Sequence, residues 1–342
     1  LSIEDGWRES SANAYLDPNP NPHNLYISTD SCVTQISIDD VHGKPTATGV
    51  QFDVTDAYGK RQTYKVRTKQ RGRTKCGGYN VWILPVGYNL QDHVQVSIDS
   101  LIKDPQQFLN DFPELTTEKL YQLIKKNMGP LGSSPVVYTY INTKSNANEP
   151  EWPNVVLSHR FLQFSTNLTE LIEIYSREQL DEWEQYYFPL LGAPHLSSEV
   201  FVRRTRSFGR VWLMSEDPYV LPAIDPNYFA DDRDFEDMLE AFKFLINFLQ
   251  NSAISEYINF MHTPVPPCAS LLCFKEHHSV GTCRMGDPHR KDTVLDPKLK
   301  VKGVDGLRVC DASVMPRLPN ANINVLSIMI GEKCADIINS GY

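Results

Sequence analysis

The sequence has little positive charge for its length. Of its 342 residues, 33 are Lys or Arg and 42 are Asp or Glu, which gives a formal net charge of −9 at pH 7. Nucleic acids and anionic membrane surfaces are bound through positive protein surfaces, so this balance argues against both as partners. One run, Arg203-Arg204-Thr205-Arg206, could still form a local basic patch.

Long apolar runs are also missing. No stretch reaches the length that a membrane-spanning helix needs, so no membrane span is expected. Hydrophobic residues make up 41% of the chain and charged residues 22%, which is typical of globular proteins. The length is sufficient for two domains with a sizeable core.

Cysteine is scarce. Seven cysteines are an odd number and too few for a disulfide scaffold of this size. Cys268 and Cys273 could pair in an oxidising compartment, or both could remain free thiols. Asn167-Leu168-Thr169 is an N-glycosylation sequon, which alone is weak evidence for secretion.

The first residues carry no signal-peptide pattern. Leu1 is followed by neither a charged segment nor an apolar one. We therefore expect the chain to begin inside a fold, with an upstream portion removed or absent.

The predicted strands and helices indicate a mixed α/β protein. Residues 24–69 predict a small β meander, with strands at Leu25–Ser28, 32–38, 48–54 and 62–68. Residues 70–78 are basic and glycine-rich, and a solvated loop is favoured there over a phosphate-binding loop. Strands are further predicted at 155–159 and 207–214, and helices at 117–126 and 231–249.

Four features near the C-terminus indicate chemistry. His278 precedes Gly281, which permits a close backbone approach. A short strand at 307–310 is predicted to end at Asp311-Ala312, and ligands of α/β folds bind at such ends. Asn320, Asn322 and Asn324 surround the start of a helix predicted over 322–338. That helix is apolar nearly all round, which predicts burial.

These residues resemble the C-terminal signature of the glucose–methanol–choline (GMC) oxidoreductases. The resemblance lies in the segments 278–286, 304–316 and 322–333, in order and in spacing. Weaker matches occur upstream, at Ala12–Leu16 and Leu84–His93, and the overall pattern is most similar to the animal, arthropod-like glucose dehydrogenases. The resemblance implies a Rossmann-like FAD-binding domain, split between residues 1–93 and 271–342, and an antiparallel-sheet substrate domain over 94–270.

The resemblance also implies site residues. His278 matches the family's catalytic histidine and Asn322 its partner, so the pair is expected to face a substrate hydroxyl. A positioned imidazole is a natural proton acceptor near neutral pH. The residues that match cofactor contacts are Val33 for the adenine, Asp311 and Ala312 for the phosphate and ribityl region, and Asn322, Ile323 and Asn324 for the flavin. No metal is expected, and His277, Asn89 and His93 receive no catalytic role, Asn89 and His93 being expected only to shape a turn.

The sequence departs from the family pattern in two places. The N-terminal Gly-x-Gly-x-x-Gly element and the Gly-Gly-Ser-Ser element are absent, and the segment between Val66 and Pro85 is short. We therefore expect a separate N-terminal portion to complete the FAD site.

Three functions remain open at this stage. The first is FAD-dependent oxidation of a small-molecule alcohol by proton abstraction and hydride transfer to flavin N5, in a secreted glycoprotein. The alternatives are a hydroxynitrile lyase of the same family and a non-catalytic relative with a binding or structural role.

Overall fold

The computed structural model describes residues 3–4, 7–8, 10–17, 22–68, 84–104, 116–126, 136–163, 188–260 and 278–341. Several predictions fall outside these ranges: the loop at 70–78, the pairing of Cys268 with Cys273, the sequon at Asn167 and the role of His277. Within the described part, no helix is both long and apolar enough to cross a membrane.

Thirteen strands and three α-helices make up the described regular structure. The strands are β1 (Ile3–Glu4), β2 (Trp7–Arg8), β3 (Ser31–Val41), β4 (Lys44–Thr55), β5 (Arg61–Arg67), β6 (Tyr88–Leu90), β7 (Val94–Ile102), β8 (Val136–Ile141), β9 (Val155–Gln163), β10 (Pro194–Val202), β11 (Gly209–Trp212), β12 (Ala223–Asp225) and β13 (Ile258–Phe260). The helices are α1 (Thr117–Lys126), α2 (Asp232–Asn251) and α3 (Asn324–Asn339).

The predicted meander is a three-stranded antiparallel sheet in the order β3-β4-β5. His42 and Gly43 turn between its first two strands, both with positive φ. The strand expected at Leu25–Ser28 is not formed, and the chain there is irregular. No strand of the described part of the chain lies beside it, and a strand needs a partner for its backbone groups.

A separate antiparallel sheet has five strands, in the order β13-β7-β10-β9-β8. Successive side chains of a strand point to opposite faces, so each strand divides into two sets. On one face, Leu196, Val200 and Val202 of β10 pack with Leu245 and Leu249 of α2 in the main hydrophobic cluster. The other face carries the polar residues described below.

The amphipathic pattern predicted α1 and α2 well. Helix α2 begins after Asp231, whose carboxylate accepts a hydrogen bond from the Arg233 backbone N–H at 3.1 Å. This is a side-chain cap of a helix start. The mixed α/β class with an antiparallel substrate-type sheet is confirmed, whereas the domain boundaries at 93/94 and 270/271 stay a prediction.

Helix α3 is not buried, so that prediction is wrong for this chain. Leu326 and Ile330 pack toward the core, and Cys334 is buried. In contrast, Val325 is 59% exposed and Met329 54%. Among the described residues, the helix packs on one side only, and the remainder of its apolar surface is exposed.

The strand predicted at 307–310 is also absent. Arg308 forms only an isolated bridge with Lys300, and a short 3₁₀ helix follows at Ala312–Val314. Cys310 instead forms a disulfide with Cys334 of α3, which ties this irregular segment to the helix. Cysteine pairing at this place was not foreseen.

The run 203–206 is not a surface basic patch. Arg203 is only 6% exposed. Arg206 contacts the buried Asp237 of α2, with 2.8 Å between Nη1 and Oδ2, and Arg204 forms an ion pair with Glu149 at 2.6 Å. Arg206 therefore acts as the charge partner that a buried carboxylate needs, whereas the Arg204–Glu149 pair is partly exposed.

Candidate active site

Gly281 brings two distant segments together. Val280 and Gln91 exchange two backbone hydrogen bonds, of 2.9 and 3.0 Å. Gly281 has φ +93°, and a Cβ there would lie 2.4 Å from the carbonyl oxygen of Asn89. Only glycine fits such an approach. The partner of the predicted close contact is therefore the Asn89 turn, in agreement with the turn-shaping role expected of Asn89.

Asp92 holds the backbones of two histidines. Its Oδ1 accepts a hydrogen bond from the N–H of His278 at 2.7 Å and from the N–H of His93 at 2.9 Å. Its Oδ2 accepts from the Tyr228 hydroxyl at 3.0 Å and from the Ser279 hydroxyl at 3.2 Å. Burial, and then the Asp92 charge, raise the pKa of the Tyr228 phenol, which therefore stays a donor. One buried carboxylate thus fixes both histidines.

The side chains of His93, His278 and Arg203 form a buried cluster. The Nδ1 atoms of His93 and His278 lie 3.0 Å apart, with the rings nearly perpendicular. The Arg203 Nη1 atom lies 2.9 Å from Nδ1 of His93 and 3.4 Å from Nδ1 of His278. His93 is fully buried, so the expectation that it only shapes a turn is wrong. Its partner lies 185 residues away in the chain.

Asn322 and Arg203 line one cavity, of about 380 Å³. The cavity lies against the polar face of the five-stranded sheet. Its remaining lining comes from β8, β9, β10 and the segment before α3: Tyr138, Tyr140, Val156, Ser158, Arg160, Glu199, Phe201, Asn320 and Ala321. His278 is not among the lining residues, and Arg203, which lines the cavity beside Asn322, contacts it.

The side chain of Asn322 has a defined orientation. Its Oδ1 accepts a hydrogen bond from the backbone N–H of Asn324 at 3.0 Å. A backbone N–H can only donate, so the amide oxygen faces the helix and the Nδ2 amino group remains as the donor of this side chain. The N-cap residue of α3 is Ile323, which makes no side-chain capping bond, so the prediction of Asn320 or Asn322 as the N-cap is wrong. Asn322 lies one residue earlier and accepts from the first residue of the helix.

A carboxylate lies within the cavity wall. Glu199 is 6% exposed. Its Oε2 accepts a hydrogen bond from the Ser158 hydroxyl at 2.6 Å, and its other oxygen contacts the Arg160 guanidinium. Neither Glu199 nor Arg160 was singled out from the sequence. The sequence signal that could have indicated Glu199 was a carboxylate within a mostly apolar or small-residue strand.

The other predicted cofactor contacts are exposed or half-buried in the described chain. Val33 is 57% exposed on β3. Asp311 is exposed, and its carboxylate accepts a hydrogen bond from the Ser313 N–H at 2.8 Å. Ala312 and Ile323 are half-buried, and Asn324 is exposed as the first residue of α3. Ala312 and Ile323 pack in one small cluster, which brings these two segments together.

Comparisons with known proteins agree with this architecture. The family model described as GMC oxidoreductase matches residues 205–331. An oxygen-dependent choline dehydrogenase of Chromohalobacter salexigens is 29% identical over 97% of this chain and 60% of its own length. A glucose dehydrogenase [FAD, quinone] of Drosophila pseudoobscura is 27% identical over 100% of this chain and 57% of its own length.

A solved structure shares the fold. A formate oxidase of Aspergillus oryzae superposes with a TM-score of 0.72 at 23% identity, over 99% of this chain and 64% of the enzyme. The chain thus spans about three fifths of the length of the curated relatives it matches. Residues 205–331 are thus similar to the GMC oxidoreductases by family model, and the chain as a whole is similar to the named relatives in sequence and to the formate oxidase in fold.

Proposed function

We propose that this chain, with the remainder of its FAD-binding domain, oxidises the hydroxyl group of a small-molecule alcohol. The observation that carries the proposal is the arrangement around Arg203, which lines a polar cavity beside Asn322 and contacts the buried His278. An alcohol becomes a hydride donor only as its hydroxyl proton leaves, so a proton acceptor next to a hydrogen-bond donor is the chemistry required.

His278 and Asn322 take complementary roles in this proposal. His278 accepts the hydroxyl proton, and the Nδ2 amino group of Asn322 donates a hydrogen bond to the same oxygen. Asn322 thereby stabilises the negative charge that develops as the proton leaves and holds the carbon in position. The C–H hydrogen leaves with its electron pair, and the C–O bond becomes a carbonyl. FAD, when bound, supplies the hydride acceptor at N5.

The residues present fit FAD. The start of α3 offers the positive end of a helix dipole, which suits the negative charge of a reduced flavin. Ile323 and Asn324 lie at that end, next to Asn322. The exposed Asp311 carboxylate is an acceptor for ribityl hydroxyls, and the small Ala312 permits close approach. Val33 offers an exposed apolar contact for the adenine.

We further propose that an N-terminal portion of the same protein covers the exposed apolar faces. Val325 and Met329 of α3 are more than half exposed, as is Val33, and Ile36 and Ile38 of β3 are 42% and 47% exposed. Apolar surface of this extent marks an interface. The longer relatives support this partner, because about two fifths of their length has no counterpart here.

The test uses the native full-length protein. We expect a flavin absorbance band that bleaches anaerobically on addition of an alcohol from a panel that includes choline, glucose and aryl alcohols. His278→Ala and Asn322→Ala should slow the bleaching by about 10²-fold or more, the usual contribution of a general base. His289→Ala, which removes an exposed histidine, is the matched control and should leave the rate unchanged.

Three other outcomes would overturn the proposal. Protein without flavin would remove the cofactor assignment. Cyanide release from a cyanohydrin without bleaching would favour a hydroxynitrile lyase. A bound flavin that no alcohol reduces would favour a non-catalytic relative.

We also propose that the protein is secreted. The Cys310–Cys334 disulfide supports this location, because such bonds persist mainly in oxidising compartments. Non-reducing peptide mapping of the native protein should recover the linked peptide and a glycan on Asn167. Free thiols at both cysteines together with an unmodified Asn167 would contradict secretion.

A further inference from the structure

The buried cluster of His93, His278 and Arg203 constrains where the ring protons lie. The Nε2 atom of His93 lies 3.0 Å from the carbonyl oxygen of Pro319. A carbonyl oxygen can only accept, so Nε2 of His93 carries the hydrogen. A neutral His93 therefore has its lone pair on Nδ1.

Arg203 supports this assignment. Its Nη1 atom lies 2.9 Å from Nδ1 of His93, and a guanidinium can only donate. A second proton on His93 would place its Nδ1–H, now on a charged ring, against the guanidinium of Arg203. Two donors with two positive charges would then meet in a site where all three side chains are buried. Arg203 therefore keeps Nδ1 of His93 as an acceptor.

The same reasoning fixes the ring of His278. Its Nδ1 atom lies 3.0 Å from Nδ1 of His93 and 3.4 Å from Nη1 of Arg203. The shorter contact decides the tautomer, and it needs one hydrogen between the two ring nitrogens. Because Nδ1 of His93 is an acceptor, the hydrogen belongs to Nδ1 of His278. The lone pair of a neutral His278 is then on Nε2.

We propose that His93 and Arg203 are positioning residues that hold His278 in the tautomer with Nδ1 protonated, so that Nε2 is its proton-accepting atom. This inference rests on the proposed function insofar as the proton comes from an alcohol. The hydroxyl proton passes to Nε2, and His278 becomes an imidazolium whose Nδ1–H still donates to His93. Two hydrogen bonds, from His278 to His93 and from His93 to the Pro319 carbonyl, thus take the place of the carboxylate that often orients a catalytic histidine.

The first experiment measures the tautomer directly. The native holoenzyme is labelled with ¹⁵N-histidine, and its ring nitrogens are observed by long-range proton–nitrogen NMR near neutral pH. The His278 signals are assigned by their loss in His278→Gln. We expect Nε2 of His278 at the shift of an unprotonated nitrogen and Nδ1 at that of a protonated one. The reverse pattern overturns the proposal without any variant of the cluster.

The second experiment separates the two contacts of His93. Asn at this position keeps an acceptor near the place of Nδ1, whereas Gln keeps a donor near the place of Nε2. We expect His93→Gln to lower kcat by about 10²-fold with KM within about twofold, because the productive tautomer is lost but the cavity is not. His93→Asn should recover kcat to within about fivefold of the native value.

The two variants also test the tautomer spectroscopically. In His93→Gln, the Nε2 signal of His278 should move toward the protonated shift, and in His93→Asn it should stay. Equal losses of kcat in both variants with an unchanged tautomer would overturn the positioning role. Because the NMR measurement needs no turnover, a protein that oxidises no alcohol still gives a result on the tautomer.

Discussion

The Asp92 carboxylate should contribute more to stability than any exposed carboxylate with the same contacts. In Asp92→Ala, the backbone N–H groups of His93 and His278 lose their acceptor at a position that is only 9% exposed. Each buried donor left without a partner costs about 1–3 kcal/mol, so we expect a loss of about 4 kcal/mol. The hydroxyls of Tyr228 and Ser279 can rotate to other acceptors and add less.

Asp92→Asn separates the hydrogen bonds from the charge. Its Oδ1 can still accept from both backbone N–H groups, and its amino group can donate to the two hydroxyl oxygens. We therefore expect a loss of about 1 kcal/mol, the difference between a charged and a neutral acceptor. Thermal denaturation of the native protein measures both changes.

The exposed Asp56 provides a matched control. One oxygen of Asp56 also accepts two backbone N–H groups, those of Tyr58 at 3.0 Å and Lys60 at 2.8 Å. Water can replace this carboxylate in Asp56→Ala, so the expected loss is below about 1 kcal/mol. A loss for Asp92→Ala no larger than that for Asp56→Ala would refute the reasoning.

Two further predictions concern Gly281 and a buried pair of titratable groups. Gly281→Ala should lower the free energy of unfolding by about 3 kcal/mol. Gly43 also has a positive φ, of +83°, but a Cβ there would meet nothing within 4 Å, so Gly43→Ala should cost only the backbone strain of about 1 kcal/mol. Equal costs in thermal denaturation would contradict the close approach to Asn89. Burial raises the pKa of Asp99 to about 6, so native Asp99 keeps a proton that the unfolded chain releases near pH 4. The free energy of unfolding therefore falls by about 3 kcal/mol as the pH rises from about 4 to about 6. Burial lowers the pKa of His195 to about 4, so the native state binds fewer protons there and stability rises by about 3 kcal/mol from pH 4 to 6.5. The two slopes oppose each other in the native protein, and Asp99→Asn should expose the rise in a pH series of melting temperatures; an unchanged profile would contradict it.

Local patterns predicted the regular elements well. The helix predicted over 117–126 has the observed bounds of α1, and the 3–4 spacing of apolar residues gave α2 to within two residues. The β-rich runs gave the meander, because its strands are joined by short turns. Predictions that depend on a neighbouring element were less successful. Within the described ranges, the run at Leu25–Ser28 has no strand beside it, and the apolar α3 is covered on one side only.

The candidate site was predicted only in part, for a related reason. His278 and Asn322 were singled out because they fall within motifs that resemble a known family, and their catalytic roles stay a prediction. His93 and Arg203 were assigned to a turn and to a surface patch, since nothing in their own segments indicates burial. Their partners come from segments more than 70 residues away in the chain, so only the folded structure reveals the cluster.

The division of the five-stranded sheet into two faces explains how such a site can coexist with a stable core. On β10, Leu196 and Val200 face α2, while Glu199 and Phe201 alternate with them toward the cavity, which Arg203, directly after the strand, also lines. A substitution at a residue of the second set changes the cavity but leaves the apolar packing against α2 intact, because adjacent side chains point to opposite faces. The shape and polarity of the cavity can therefore vary along this face without loss of the fold, whereas the same change at Leu196 or Val200 would create a void in the core and cost stability.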